Sequence, residues 1–186
     1  MNTFIMFYLL IFLGLVVLWL IFSYNRLVVL RMRAKEALSD IDVQLKRRFD
    51  LIPNLIETVK GYLAHEREVL EKLTEARSRV ASSSGNAMER SGAENALSNT
   101  LKTLFAVAEN YPDLKANANF LDLQRELADT ENKIQASRRF FNTTVMELNA
   151  KIETFPTNIF AGTLGFKKMD FFIADSSEKE NIKVKF

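Results

Sequence analysis

The sequence predicts an all-α protein in which an N-terminal transmembrane helix runs directly into a long-helix antiparallel bundle. Three observations predict it. The first 25 of 186 residues carry no charged side chain, and all 25 Lys and Arg and all 23 Asp and Glu follow them. From Leu27 onward apolar residues recur every three or four positions, the spacing of one helix face. Six Gly and three Pro leave little material for the turns of a β fold.

Residues 4–22, FIMFYLLIFLGLVVLWLIF, are an uncharged run. At about 1.5 Å per residue they reach roughly 28 Å, close to the thickness of a bilayer's hydrocarbon core. A cleavable signal peptide requires a basic leader and a small-residue cleavage site. Met1-Asn2-Thr3 is uncharged and Phe22-Ser23-Tyr24-Asn25 is no Ala-x-Ala site, so a retained anchor is expected. Trp19 and Tyr24 stand where an interfacial aromatic belt would place them. Arg26, Arg31, Arg33 and Lys35 follow, opposed locally by Glu36 alone. That excess orients the exit side towards the cytoplasm. Residues 1–3 are then a short extracytoplasmic N-terminus, and residues 23–174 a cytoplasmic domain on a single-pass anchor in the cell membrane. The same four cations are candidates for contact with anionic lipid head groups, at about 1 kcal/mol each near the surface. The alternative is that they set topology only.

The first apolar stripe reads Leu27, Leu30, Ala34, Leu38, Ile41, Leu45, Phe49, Ile52, Ile56, Val59 and Leu63, predicting one helix over 24–81. With neither Gly nor Pro between them, the anchor and this helix should be continuous, holding the domain rigidly near the bilayer. Pro53 removes a backbone donor and crowds the preceding turn. The stripe keeps its phase across it, which favours a kink over a break; Asp50 capping a new helix is the alternative. Ala81-Ser82-Ser83-Ser84-Gly85-Asn86 is loop composition. A second helix is expected over 87–111, ended by Pro112-Asp113, and a third over 115–155, stopped by Pro156. The second covers less than half of the first, so, unless Pro53 folds the first helix back, uncovered stripe implies self-association or a partner. Residues 159–173 are dense in aromatics around Lys167-Lys168. They read as a cap on the bundle, a membrane-surface contact, or a hook into a neighbouring copy, carried by Phe166, Phe171 and Phe172. Residues 175–186 form a polar tail.

The stretch from Ser39 to Tyr62, SDIDVQLKRRFDLIPNLIETVKGY, resembles the signature of the LemA family. So do Tyr24-Asn25-Arg26-Leu27-Val28 after the anchor, Ala76-Arg77, Phe140-Phe141-Asn142, Phe155-Pro156, Gly165-Phe166 and Asp170-Phe171-Phe172. The tail after Ala174 is short and charged, where family members vary widely. The resemblance covers nearly the whole chain. It implies a bacterial-type membrane protein with a cytoplasmic antiparallel helical bundle, in the company of membrane proteases, and it implies no defined reaction.

Within the signature, Arg47, Asp50, Asn54, Glu57 and Gly61 form a polar stripe opposite the apolar one, with steps of three and four. It is a solvated face, a face for protein contact, or a source of partners for the backbone groups that Pro53 frees. Gly61 favours contact, because a glycine inside an exposed helix costs about 1 kcal/mol and close approach of another backbone is the usual compensation. Enzyme chemistry finds little to work with. No cysteine is present, and His65 is the single histidine. A zinc protease needs two histidines one turn apart, and a di-metal bundle needs paired Glu-x-x-His elements. Gly162-x-x-Gly165 is a turn signal, and Asp40/Asp42 and Glu66/Glu68 lie on different helix faces. Neither a catalytic group, a cofactor nor a metal is expected. A net charge of +2 argues against a nucleic-acid partner. The expectation is a non-enzymatic scaffold or adaptor, a homo-oligomer engaging the lipid bilayer and other membrane proteins such as a membrane protease. The alternatives are membrane shaping and transmembrane signal relay.

Overall fold

The computed structural model describes residues 2–63, 65–83 and 87–172. The element order is α1 (Asn2–Lys60), α2 (Arg67–Ser82), α3 (Ala87–Ala108), α4 (Pro112–Lys115) and α5 (Ala118–Glu153), then a 3₁₀ turn at Thr157–Ile159. Among the described residues there is no strand. The expected polar tail 175–186 lies outside them. The chain divides into two compact units, Met1–Ser39 with Arg138–Phe172, and Asp40–Ser137.

In the unit Asp40–Ser137, α1 contributes Ile41, Leu45, Ile52, Leu55 and Val59 to the interior. Ile52, Leu55 and Val59 meet Leu73 and Ala76 of α2, Leu97, Leu101, Leu104 and Ala108 of α3, and Phe120 and Leu127 of α5. Ion pairs fix the directions. Asp42 and Arg48 of α1 reach Arg90 and Glu94 of α3, so those two helices run parallel. Arg47 reaches Asp129, and Tyr62 receives a hydrogen bond from Asn117 near the start of α5, so α1 and α5 are antiparallel. Asn117 caps α5 by accepting the Phe120 N–H at 3.0 Å. The third helix therefore begins three residues after the predicted 115, behind the short α4 opened by Pro112.

The single helix predicted over 24–81 is corrected here. Pro53 lies inside continuous α1, and the chain reverses between the end of α1 at Lys60 and the start of α2 at Arg67. The Val59 carbonyl accepts both the Tyr62 and Leu63 N–H groups, closing the turn, while Leu63 stays in the interior. Reversal lets α2 bury the stripe on α1 that a straight helix would leave in water, a gain of about 25 cal/mol per Å² of apolar surface. The length mismatch that suggested an uncovered stripe disappears with it.

In the other unit, Leu27 and Leu30 of α1 pack with Leu148 of α5 and with Ala161 and Phe166 beyond it. Gly165, at φ 76, occupies the left-handed region that a side chain disfavours. The Phe166 N–H returns to the Ala161 carbonyl at 3.0 Å. The chain then runs along α5 as an extended strap held by two asparagines. Asn149 donates to the Met169 carbonyl and accepts its N–H, at 2.8 and 2.9 Å. Asn142 does the same with Phe172, at 3.0 and 2.8 Å. Two turns of helix and three residues of extended chain both advance roughly 10 Å, so the anchor points coincide.

Candidate functional site

The buried positions of α1 between Ile41 and Val59 advance by four, three, four, three and four residues, and the one between Leu45 and Ile52 is Arg48. Its side chain is 1 % exposed. On α3, Glu94 continues the ladder of Leu97, Leu101, Leu104 and Ala108, and its side chain is 3 % exposed. One Arg48 nitrogen donates to the Glu94 carboxylate and, at 3.3 Å, to its backbone carbonyl. The other donates to Ser98 Oγ and, at 2.7 Å, to Glu131 of α5. Ser98 also donates to Glu131, at 3.2 Å. A guanidinium stays charged throughout the accessible pH range and offers a planar fork of donors. One residue thus ties α1 to α3 and α5. Sequence reasoning missed it by placing Phe49 on the core stripe; the signal was a charge interrupting an otherwise regular ladder on each of two helices.

A second junction explains Pro53. Proline has no N–H, so the Phe49 carbonyl four residues earlier loses its helical partner. Arg77 of α2 supplies one: its Nε donates to that carbonyl at 3.4 Å, and its guanidinium lies 4.1 Å from the centre of the Phe49 ring. The expected source, the polar stripe of α1 itself, is not the one used.

The stripe residues Arg47, Asp50, Asn54, Glu57 and Gly61 are all exposed. Arg47 pairs with Glu126 and Asp129 of α5, Asp50 with Lys46, and Glu57 with Lys60. The hydrogen bond that Lys133 donates, aided by the charges of Lys133 and Arg47, holds the Asp129 carboxyl below the usual range. Gly61 lies just past the end of α1, and a Cβ there would meet open space. The argument for close approach at Gly61 therefore fails, since the cost of an interior helical glycine does not arise. In the turn beside it, Tyr111 donates to Glu66 at 3.1 Å. Burial, reinforced by that bond, pushes the Tyr111 phenol up.

The four cations beyond the span divide. Arg26 pairs with Glu147 at 3.6 Å, and Arg31 is half-buried with its guanidinium 5.0 Å from the Phe166 ring. Arg33 and Lys35 are exposed. Of the three aromatics assigned to a cap or hook, Phe166 is buried against Tyr24, Leu27 and Leu30. It lies inside its own unit and is unavailable to lipid or a neighbour. Phe172 is half-buried beneath Arg138, at 4.7 Å, and Phe171 is exposed.

The sequence model of the LemA family matches residues 37–186. The chain belongs to the LemA family. It is 28 % identical over 148 residues to Protein LemA of Metamycoplasma hominis, covering 80 % of this chain and 68 % of that protein. It is 24 % identical over 178 residues to Magnetosome protein MamQ of Magnetospirillum gryphiswaldense, covering 82 % of this chain and 65 % of that protein. Magnetosome protein MamQ 2 of Paramagnetospirillum magneticum is 23 % identical over the same length and coverage. The chain thus spans about two thirds of the curated relatives it matches. With one helix among the described residues long and apolar enough to cross a membrane, this LemA-family member is a membrane-associated helical protein. Its signature places Arg47 and Arg48 in ion pairs that join helices.

Proposed function

We propose that the protein is a non-enzymatic, membrane-anchored scaffold or adaptor, present in more than one copy, that holds other membrane proteins such as a membrane protease. The observation that carries this reading is the contrast between its two kinds of surface. Residues 3–15 are exposed on every side and apolar apart from Thr3, Tyr8 and Gly14, which requires lipid or another helix. Arg48, the one buried charge of the signature, is paired with Glu94 and Glu131 of other helices, so it serves cohesion and leaves the exposed face of Asp50, Asn54 and Glu57 for contact. The cation excess after residue 25 supports an N-terminus outside and a cytoplasmic body in a bacterial cell membrane. Exposed Met32, Phe140 and Met146 are the apolar side chains on which self-association would draw.

Purification of the full chain in mild detergent tests this. A multimer that retains a reproducible membrane-protein companion is expected, and a lone monomer would refute it. Charge reversal at Asp50 and Glu57 should release the companion without loss of helix content. Direct membrane shaping is the second reading, favoured by exposed Arg33 and Lys35 beside the span. Deformation of liposomes by the isolated protein would select it over the adaptor.

A further inference from the structure

The thirteen residues from Thr154 to Phe166 carry no charge. They include three large apolar side chains that their own unit leaves in the open, Phe155 at 75 %, Ile159 at 69 % and Leu164 at 46 % exposure. The neck of this tip is polar: Lys168 pairs with Glu153, and Lys167 is exposed beside it.

Its height along α1 is fixed within the same unit. Phe160 meets Trp19 edge-on, with ring centres 5.5 Å apart. Val16, Trp19 and Leu20 are partly covered and Ser23 is buried, whereas the other residues of 3–22 are exposed. These four share one helix face, so the cover extends over the last two turns of the apolar span. Counted back from Phe22, Trp19 and Val16 lie roughly 4.5 and 9 Å inside it. An apolar face that rests in the boundary between head groups and acyl chains sits about 5–10 Å deep. The tip therefore has the depth, the lack of charge and the basic rim of an interfacial membrane contact.

We propose that residues 154–166 form a second membrane attachment, inserting Phe155, Ile159 and Leu164 into the leaflet from which α1 emerges, with Lys167 and Lys168 at the head groups. The inference rests on α1 spanning a bilayer and is independent of the adaptor reading. It moves lipid contact away from Phe166 and Phe172, which are engaged within the chain. A bilayer is the chosen occupant because the patch is continuous with the span; a second copy is the competitor that the test must distinguish.

The chain has no native cysteine, so single cysteines at chosen sites take one environment-sensitive fluorophore each. Full-length Ile159→Cys and Phe155→Cys, labelled and reconstituted in phosphatidylcholine–phosphatidylglycerol vesicles, are compared with Phe12→Cys in the span and Met32→Cys beyond it. Both side chains are exposed, so labelling leaves the interior intact, and helix content checks this. The expected result is blue-shifted emission at 155 and 159, most of it lost when the lipids carry bromine near the top of the acyl chain, with position 32 unaffected. Water-like emission at 155 and 159, with position 12 quenched by lipid, would overturn the attachment and leave the anchor standing. Blue-shifted emission that brominated lipid does not quench would assign the patch to a second copy and overturn it equally. Absence of quenching at position 12 by lipids brominated near the end of the acyl chain would refute the anchor, and the attachment with it.

Discussion

Replacing Arg48 by methionine removes the guanidinium and keeps most of the side chain's volume. The Glu94 carboxylate, 3 % exposed, would lose the cation that pairs with it, with almost no water to replace it. Breaking a buried pair from one side costs about 3–5 kcal/mol. For a chain of this size that lowers the melting temperature by roughly 6–20 °C. Circular dichroism of the full chain in mild detergent measures the shift. Glu131, 26 % exposed, can turn towards solvent, so Glu131→Gln should cost less, at most the roughly 1.5–3 kcal/mol of a single hydrogen bond to a charged group. The double variant Arg48→Met/Glu94→Met removes both buried charges and should recover at least about 2 kcal/mol relative to Arg48→Met alone. A single variant that loses less than about 1 kcal/mol would mean that water reaches Glu94 and that the burial argument is wrong. A double variant as unstable as the sum of the two singles would show that the pair is not a coupled unit.

Three further outcomes follow from the geometry. Arg77→Ala should cost about 1–3 kcal/mol by leaving the Phe49 carbonyl without a donor. The cost should fall by about 1 kcal/mol in a Pro53→Ala background, where the helix regains its own N–H; equal costs in urea titrations of both backgrounds would disprove the junction. Gly165→Ala should destabilise by about 1–2 kcal/mol because its φ of 76 is left-handed. Gly162→Ala, at an ordinary φ with open space around its Cβ, should be neutral or slightly stabilising in the same thermal scan. The raised phenol of Tyr111 favours folding while it keeps its proton. That contribution is complete below the unfolded tyrosine value and lost as pH climbs through the folded one. In an alkaline absorbance titration one tyrosine should ionise late, and Tyr111→Phe should abolish that late phase.

Much of the architecture was legible because it depends on patterns longer than any local accident. A charge-free run with helical spacing after it can hardly be anything but an apolar helix leading into amphipathic ones. The reversal after Lys60 was not legible, because the apolar phase carries on to Leu63, which stays buried inside the turn. Arg48 was hidden for a different reason. The apolar face of α1 is wide enough to admit either Phe49 and Ile56 or Arg48 and Leu55 as its centre, and hydrophobicity alone prefers the phenylalanine. Only the charged rung at Glu94 on a distant helix makes the second choice sensible, and that pairing is a tertiary fact. The aromatic ending was legible as an apolar cluster, but which of its rings the unit would bury was not. Phe166 and Phe172 are drawn in by Arg31 and Arg138, while Phe155 and Ile159 are left outside.

The paired asparagines of α5 grip peptide groups alone. Docking of the strap is therefore encoded largely in the helix it lies on, and Lys167, Asp170 and Phe171 can change identity without loosening it. Chain length is what the arrangement cannot tolerate: one residue added or removed between Met169 and Phe172 would carry the second peptide about 3 Å past its clasp. Substitutions should accumulate at those three positions, and insertions should not.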